Sequence, residues 1–145
     1  MKFAVLDFET TGNRHDDEII QAGLVLLQDG QIVERYVSYV KPNRPIPAHI
    51  SEMTGITDET VAEAPALEEV ILELRRRISD DCVLVGHNVG FDLAYLQKAL
   101  DDHGYAPFAG RVLDTMELAR ILYPDADSLK LAGLSERLGL PHERP

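Results

Sequence analysis

The spacing of apolar residues changes at Pro65, and that change limits the folds open to this 145-residue chain. Before it, apolar residues lie in extended runs: "KFAVLDF" from Lys2 to Phe8, then "EIIQAGLVLLQDGQIVERYVSYV" from Glu18 to Val40, two runs joined at "QDGQ". Asp29-Gly30 in that joint is a strong hairpin signal, because both centres of a tight hairpin turn need positive φ. After Pro65, Leu67, Val70, Ile71, Leu74 and Ile78 recur at helical spacing, with Pro65 suited to the first turn. Arg75, Arg76 and Arg77 fall in the last turn, where cations complement the helix dipole; this reading is preferred to a nucleic-acid patch. "CVLVGHN" (Cys82 to Asn88) reads as a buried strand. "HNVGFDLAYLQKAL" then opens a helix with Asn88 as N-cap and Leu93, Leu96 and Leu100 on one face. A short strand from Arg111 to Leu113 leads into "DTMELARILY", where Asp114 and Glu117 have capping-box spacing. A last helix, "SLKLAGLSERLG", is expected to turn Leu131, Leu134 and Leu138 inward and to end at Gly139. A hairpin of strands followed by strand-helix alternation predicts the α/β class, with helices packed on a mixed sheet. Between the two regimes, "KPNRPIPAHISEMTGI" carries Pro42, Pro45 and Pro47 and is expected to be an ordered but irregular connection, long enough to be functional.

Composition narrows the class further. Residues 1–145 are expected to form a single domain, since a 45% hydrophobic content is ample for one core. The one cysteine, Cys82, heads an apolar run and reads as a small buried hydrophobe; no disulfide can form within the chain. The N-terminus lacks the order of a signal peptide and no apolar run reaches membrane-spanning length, so a cytoplasmic location is expected. A net charge of −11 argues against tight, non-specific binding to a phosphate backbone. Bound divalent cations reverse that field locally wherever carboxylates cluster.

Such a cluster is suggested at the end of the first strand. Asp7 and Glu9 are two residues apart, so strand alternation puts both carboxylates on one face. Isolated buried charges are costly, and the pair requires cations, donors or exposure at the strand end. Two readings are open: both acids solvated at the loop, or a divalent metal held by carboxylate oxygen. Asp92 lies early in the helix that follows another buried strand. It would look across at Asp7 if the two strands were neighbours; taken by itself, the preferred reading is a first-turn acid complementing the helix dipole.

Three motifs in order, "VLDFETTG", "EMTGIT" and "HNVGFD", closely resemble the DEDD, or DnaQ-like, family of 3′→5′ exonucleases, in its DEDDh subgroup. The likeness spans nearly the whole chain and is greatest to the exonuclease domains of DinG-type helicases and to polymerase proofreading exonucleases. It implies a ribonuclease H-like fold and metal-dependent hydrolysis of terminal phosphodiester bonds of single-stranded DNA. It also implies two divalent cations, Mg²⁺ or Mn²⁺, acting by a two-metal mechanism. By this resemblance Asp7, Glu9 and Asp92 are the catalytic, metal-binding acids. Thr10 and Thr11 lie where the family holds the terminal nucleotide, with ordinary turn chemistry as the competing role. Met53, Thr54 and Gly55 match the segment that packs on the terminal base and reaches its sugar, although Met53 could equally be core. His87 and Asn88 match the second motif at the helix start. Asp114 and Thr115 match a family "DT", read as a cap that supports the site. Phe91 is expected in the core, and His15, His49 and His103 in surface or packing roles.

One family motif has no match. A histidine general base, followed about five residues later by a last metal-binding aspartate on a C-terminal helix, is not present in this sequence. His142 in "LGLPHERP" has three residues after it, and Asp125, Asp127, Glu136 and Glu143 do not match in position. Two explanations are open, a piece of a longer protein, which is preferred, and a domain that naturally lacks the base; under either, weak metal affinity and little or no nuclease activity are expected of the chain on its own. Implied partners are single-stranded DNA 3′ ends and helicase or polymerase domains, in DNA replication, proofreading or repair, with no membrane. The alternatives are a catalytically silent module binding a 3′ end or a partner protein, and an oligoribonuclease-like enzyme acting on RNA.

Overall fold

The computed structural model describes residues 1–141 and bears out the α/β expectation with a mixed five-stranded sheet. In chain order the first elements are β1 (Lys2–Thr10), β2 (Ile19–Gln28), β3 (Gln31–Tyr39), α1 (Ala48–Thr54) and α2 (Asp58–Val61). There follow α3 (Leu67–Arg77), β4 (Val83–Gly86), α4 (Val89–Asp102), β5 (Arg111–Asp114), α5 (Thr115–Leu122) and α6 (Leu131–Arg137). The sheet order is β3-β2-β1-β4-β5. The first three strands form an antiparallel meander, whereas β4 and β5 join parallel to β1. Asp29 and Gly30 turn the hairpin with φ of 50° and 81°, the positive values the dipeptide signalled.

The core lies between the sheet and α3 and α4. Ala4, Leu6 and Phe8 from β1, with Leu24 and Leu84, meet Val70, Ile71 and Leu74 of α3 and Leu96, Ala99 and Leu100 of α4. Each such leucine or isoleucine taken out of water contributes roughly 1.5–3 kcal/mol. β4 sits between two strands, and Val83, Leu84 and Val85 are all buried, which explains its uninterrupted apolar run. Cys82 is a free thiol within this core. The arginines at the end of α3 serve structure: Arg77 bridges Glu73 and Glu34 at 2.6 Å, Arg76 pairs with Glu73, and Arg75 lies over the Tyr105 ring.

Several local expectations are corrected. The proline-bearing connection contains α1, with Pro47 at its N-cap; prolines are compatible with a helix start, and their signal hid the helix behind them. Ile46, Ile50, Ile56 and Val61 from this region close on Ile20 as a second apolar cluster, which gives the short helices their reason to form. Pro65 precedes α3, whose N-cap is Ala66. Asp114 caps α5 through the Met116 amide while Glu117 pairs with Arg120, so no capping box forms. The last helix is shorter than its apolar pattern. Leu134 is buried, but Leu131 and Leu138 are 49% and 43% exposed. Phe91 is half-exposed against Tyr95, outside the main core cluster, and Met53 is 61% exposed, which removes its core reading. His15 and His49 are on the surface, and His103 packs with Nδ1 2.7 Å from the Ala99 carbonyl. His142 and Glu143 lie outside the described residues.

Candidate active site

The carboxyl ends of the three parallel strands β1, β4 and β5 bring the motif residues to one edge of the sheet. Asp7 and Glu9 lie near the end of β1, Gly86 closes β4 with His87 and Asn88 just after it, and Asp114 closes β5. β1 is also the strand at which the sheet switches from antiparallel to parallel pairing. β4 does lie beside β1, which is the condition on which Asp92 could look toward the end of that strand. Their pairing runs only from Phe3 to Val5, so β1 continues past its neighbour. Beside that extension, Oδ1 of Asp92 accepts a 2.8 Å hydrogen bond from the Phe8 amide.

The three acids differ in setting. Asp7 and Glu9 lie on the face opposite the buried Leu6, Phe8 and Thr10, as alternation requires. Asp7 is exposed as a residue, yet enough protein surrounds its carboxyl group that desolvation raises its pKa, partly offset by His87. Asp92 is 3% exposed. Burial pushes its pKa up to about 7, the Phe8 amide opposes that rise, and the charges of Asp7 and Glu9 add to it. The acids thus feel one another electrostatically. Among the described residues, however, no group of three or more His, Cys, Asp or Glu is drawn together closely enough to hold a metal ion. An all-carboxylate donor set suits a hard cation, and Mg²⁺ needs only one or two protein carboxylates. The set fits an open site of that kind rather than a closed cage.

The turn after β4 is tied to β5 and α5. Asn88 stands at the N-cap of α4 in the left-handed conformation, φ 63° and ψ 52°, and its side chain makes no cap hydrogen bond, contrary to expectation. Its amide instead donates to Oδ1 of Asp114 at 2.9 Å. The His87 ring is held at both nitrogens, with Nδ1 2.9 Å from Thr115 Oγ1 and Nε2 2.6 Å from the Leu129 carbonyl. Thr115 Oγ1 also reaches the Gly86 carbonyl at 3.2 Å.

The loop after β1 is closed from within. Thr10 Oγ1 donates to the Gly12 carbonyl at 2.5 Å; Thr11 Oγ1 donates to Asp17 at 2.8 Å and accepts from the Glu18 amide. These are the turn contacts expected of threonine. Two members of the loop's support escaped the sequence reading. Asp17 also accepts from the Arg14 amide, and the Tyr95 hydroxyl donates toward the Gly12 and Arg14 carbonyls, pinning the loop to α4. Tyr95 follows Asp92 by three positions, so helical spacing alone would have placed both side chains on one face. On α1, Thr54 Oγ1 bonds the Ile50 carbonyl and the Ile56 amide, and Gly55 ends the helix at φ 77°.

Comparison with known proteins places this geometry in a family. The RNase_T exonuclease family model matches residues 4–144. The 3′-5′ exonuclease DinG of Bacillus subtilis (strain 168) is 40% identical over 146 residues, covering 99% of this chain and 16% of that protein. The Staphylococcus epidermidis protein of the same name is 39% identical over 140 residues, 96% of this chain and 15% of its own. The chain therefore spans about one-sixth of the length of these relatives. Escherichia coli Exonuclease I in complex with a dT13 oligonucleotide shares the fold, with a TM-score of 0.86 at 20% identity, over 98% of this chain and 36% of that one. Exonuclease X in complex with 5′ overhanging duplex DNA matches with a TM-score of 0.74 at 28% identity, over 99% of this chain and 76% of that one. The sheet and its helices thus form a ribonuclease H-like fold, and the chain belongs to the RNase_T family of exonucleases.

Proposed function

We propose that residues 1–145 form the 3′→5′ exonuclease domain of a longer protein, hydrolysing terminal phosphodiester bonds of single-stranded DNA. Membership of the exonuclease family implies dependence on a divalent metal; the proposal adds two ions, Mg²⁺ or Mn²⁺, with Asp7, Glu9 and Asp92 as their protein ligands. The observation that carries it is Asp92: a carboxyl buried against β1, 2.8 Å from the Phe8 amide, that feels the charges of Asp7 and Glu9 and has its pKa raised to about 7 is in the electrostatic state that bound cations relieve. When bound, such ions supply Lewis-acid activation of water and stabilise the leaving oxygen. The protein's own residues supply the rest. Asp7 and Glu9 face outward from β1, Asp92 approaches from α4, and His87 places its ring near Asp7. Thr10, Thr11, Met53, Thr54, His87 and Asn88 are proposed to line the path of the 3′-terminal nucleotide; the exposure of Met53 suits contact with a base.

Single-stranded DNA as substrate draws support from the oligonucleotide bound to Exonuclease I. A helicase or polymerase partner draws support from the DinG-type likeness and from the length of the relatives. Among the described residues no helix is long and apolar enough to cross a membrane. Turnover by the 145-residue chain is expected to be slow, because a general base contributes typically ~10²–10⁴-fold and no histidine at the family's spacing is present. Release of mononucleotides from a 3′-labelled single-stranded oligonucleotide with Mn²⁺ tests the proposal. Slow release is expected from the wild-type chain and background from Asp7→Ala. Release that survives Asp7→Ala would overturn the assignment of the acids. Silence from a longer chain that includes the base would favour a module that binds 3′ ends without cleaving them.

A further inference from the structure

We infer that Asp114 is a positioning residue for Asp92: by holding the Asn88 amide it seats the first turn of α4, and with it the Asp92 carboxylate, against β1. Three observations converge on this. Gly86 and Asp114 are register partners at the ends of β4 and β5, so the Asp114 side chain starts beside the turn it contacts. Its Oδ1 accepts both from Met116, the amide that α5 capping requires, and from Asn88, 26 positions earlier in the chain. Asn88 adopts φ 63°, a conformation that a residue with a Cβ holds at a cost, and α4 begins at the very next residue. The turn has little room to relax otherwise: a Cβ on Gly86 would lie 2.9 Å from Val89 Cγ2 and 3.3 Å from Val89 Cα. Asp92 stands in the first turn launched from this corner, with its Oδ1 2.8 Å from the Phe8 amide. A shift of the corner carries that carboxylate away from β1. The functional consequence rests on the reading of Asp92 as a site acid; the coupling itself does not.

The competing role is a plain cap for α5, and one substitution separates the two. In Asp114→Ser a good N-cap remains for α5, but the shorter side chain no longer reaches Asn88. Asp114→Asn keeps an oxygen acceptor at the same reach. Amide hydrogen exchange, read residue by residue by NMR on the metal-free chain without DNA, gives the answer. In Asp114→Ser the Asn88 and Phe8 amides are expected to exchange at least about tenfold faster than any change in the core amides of β2 accounts for, the loss expected of a charge-assisted hydrogen bond. In Asp114→Asn both are expected to stay within about threefold of wild type. Asn88 and Phe8 amides unchanged in Asp114→Ser would overturn the inference, as would faster exchange at Asn88 while Phe8 stays protected. Losses in Asp114→Asn as large as in Asp114→Ser would overturn the role given to the oxygen acceptor. Because no nuclease assay enters, failure here is distinct from failure of the exonuclease reading.

Discussion

Two turns meet at the carboxyl edge of the sheet, and each is held by an aspartate that accepts backbone amides, but the aspartates come from different distances along the chain. The loop after β1 is closed by Asp17, which takes the Arg14 amide and the Thr11 hydroxyl from its own loop. The turn after β4 is closed by Asp114, which arrives from the next strand. A local closure forms with little loop entropy and can be read from neighbouring residues; a non-local one exists only after β4 and β5 have paired. The second turn also launches the helix that carries the buried acid, so its cost and its chemical consequence are both larger.

The largest expected effect separating the two turns is the pH dependence of the second between about pH 4 and 7. The folded-state pKa of Asp92 is raised to about 7 by burial, so between about pH 4 and 7 the folded chain keeps a proton that the unfolded chain has released. Stability from this group therefore falls as pH rises across that window and is level above it, a change of up to about 4 kcal/mol. Urea titrations of the metal-free protein at intervals from pH 4 to 8 check this against Asp92→Asn, which should remove the share of Asp92 and leave that of Asp7, whose pKa burial also raises. A slope undiminished in Asp92→Asn would assign it elsewhere.

Next comes Gly86→Ala. The added methyl meets Val89 in a corner already committed to a left-handed residue, and a destabilisation of about 1–3 kcal/mol is expected. Its denaturation midpoint should fall further than that of Gly133→Ala, where an added Cβ would meet Ser128 no closer than 3.4 Å. Equal midpoints would mean that the turn relaxes freely.

The smallest effect belongs to the first turn. Asp17→Ala removes acceptors for the Arg14 amide and the Thr11 hydroxyl at a half-buried position and should cost about 1 kcal/mol. The sign of its pH dependence is opposite to that of Asp92. The Arg14 amide first, and then the Thr11 hydroxyl, hold the Asp17 carboxyl below the usual range. Its contribution is present above about pH 4 and is lost as pH falls through the lowered folded value. Thermal melts of wild type and Asp17→Ala should converge in strong acid; a gap that widens there would refute the role given to its charge.

Legibility followed the same division between local and non-local causes. Asp29-Gly30 announced its hairpin because a two-residue turn demands positive φ, and α3 announced itself because Val70, Ile71 and Leu74 repeat with helical period. The facing of Asp7 and Glu9 was also readable, since strand alternation needs no partner to be known. Helix α1 was not, because the prolines before it look like loop, whereas the cluster that stabilises it draws Ile20 from a strand far back in the chain. Leu131 and Leu138 misled for the converse reason: periodicity marks an apolar face but cannot say whether another element covers it. Asn88 was read correctly as the start of α4 and incorrectly as its capping side chain, because its partner is Asp114 through the backbone amide.

By itself the sequence determined the class of fold, the shared face of Asp7 and Glu9, and a family likeness carried by three motifs. These follow from properties that repeat along a chain or sit within a few residues of one another. Only the tertiary structure decided that β4 lies beside β1, that Asp92 faces the Phe8 amide beyond the end of that pairing, and that Asp114 closes the turn between them. The physical reason is that burial and hydrogen-bond partners are set by what folding brings alongside. A carboxyl with an ordinary pKa in the extended chain reaches about 7 only where core and neighbouring charges surround it.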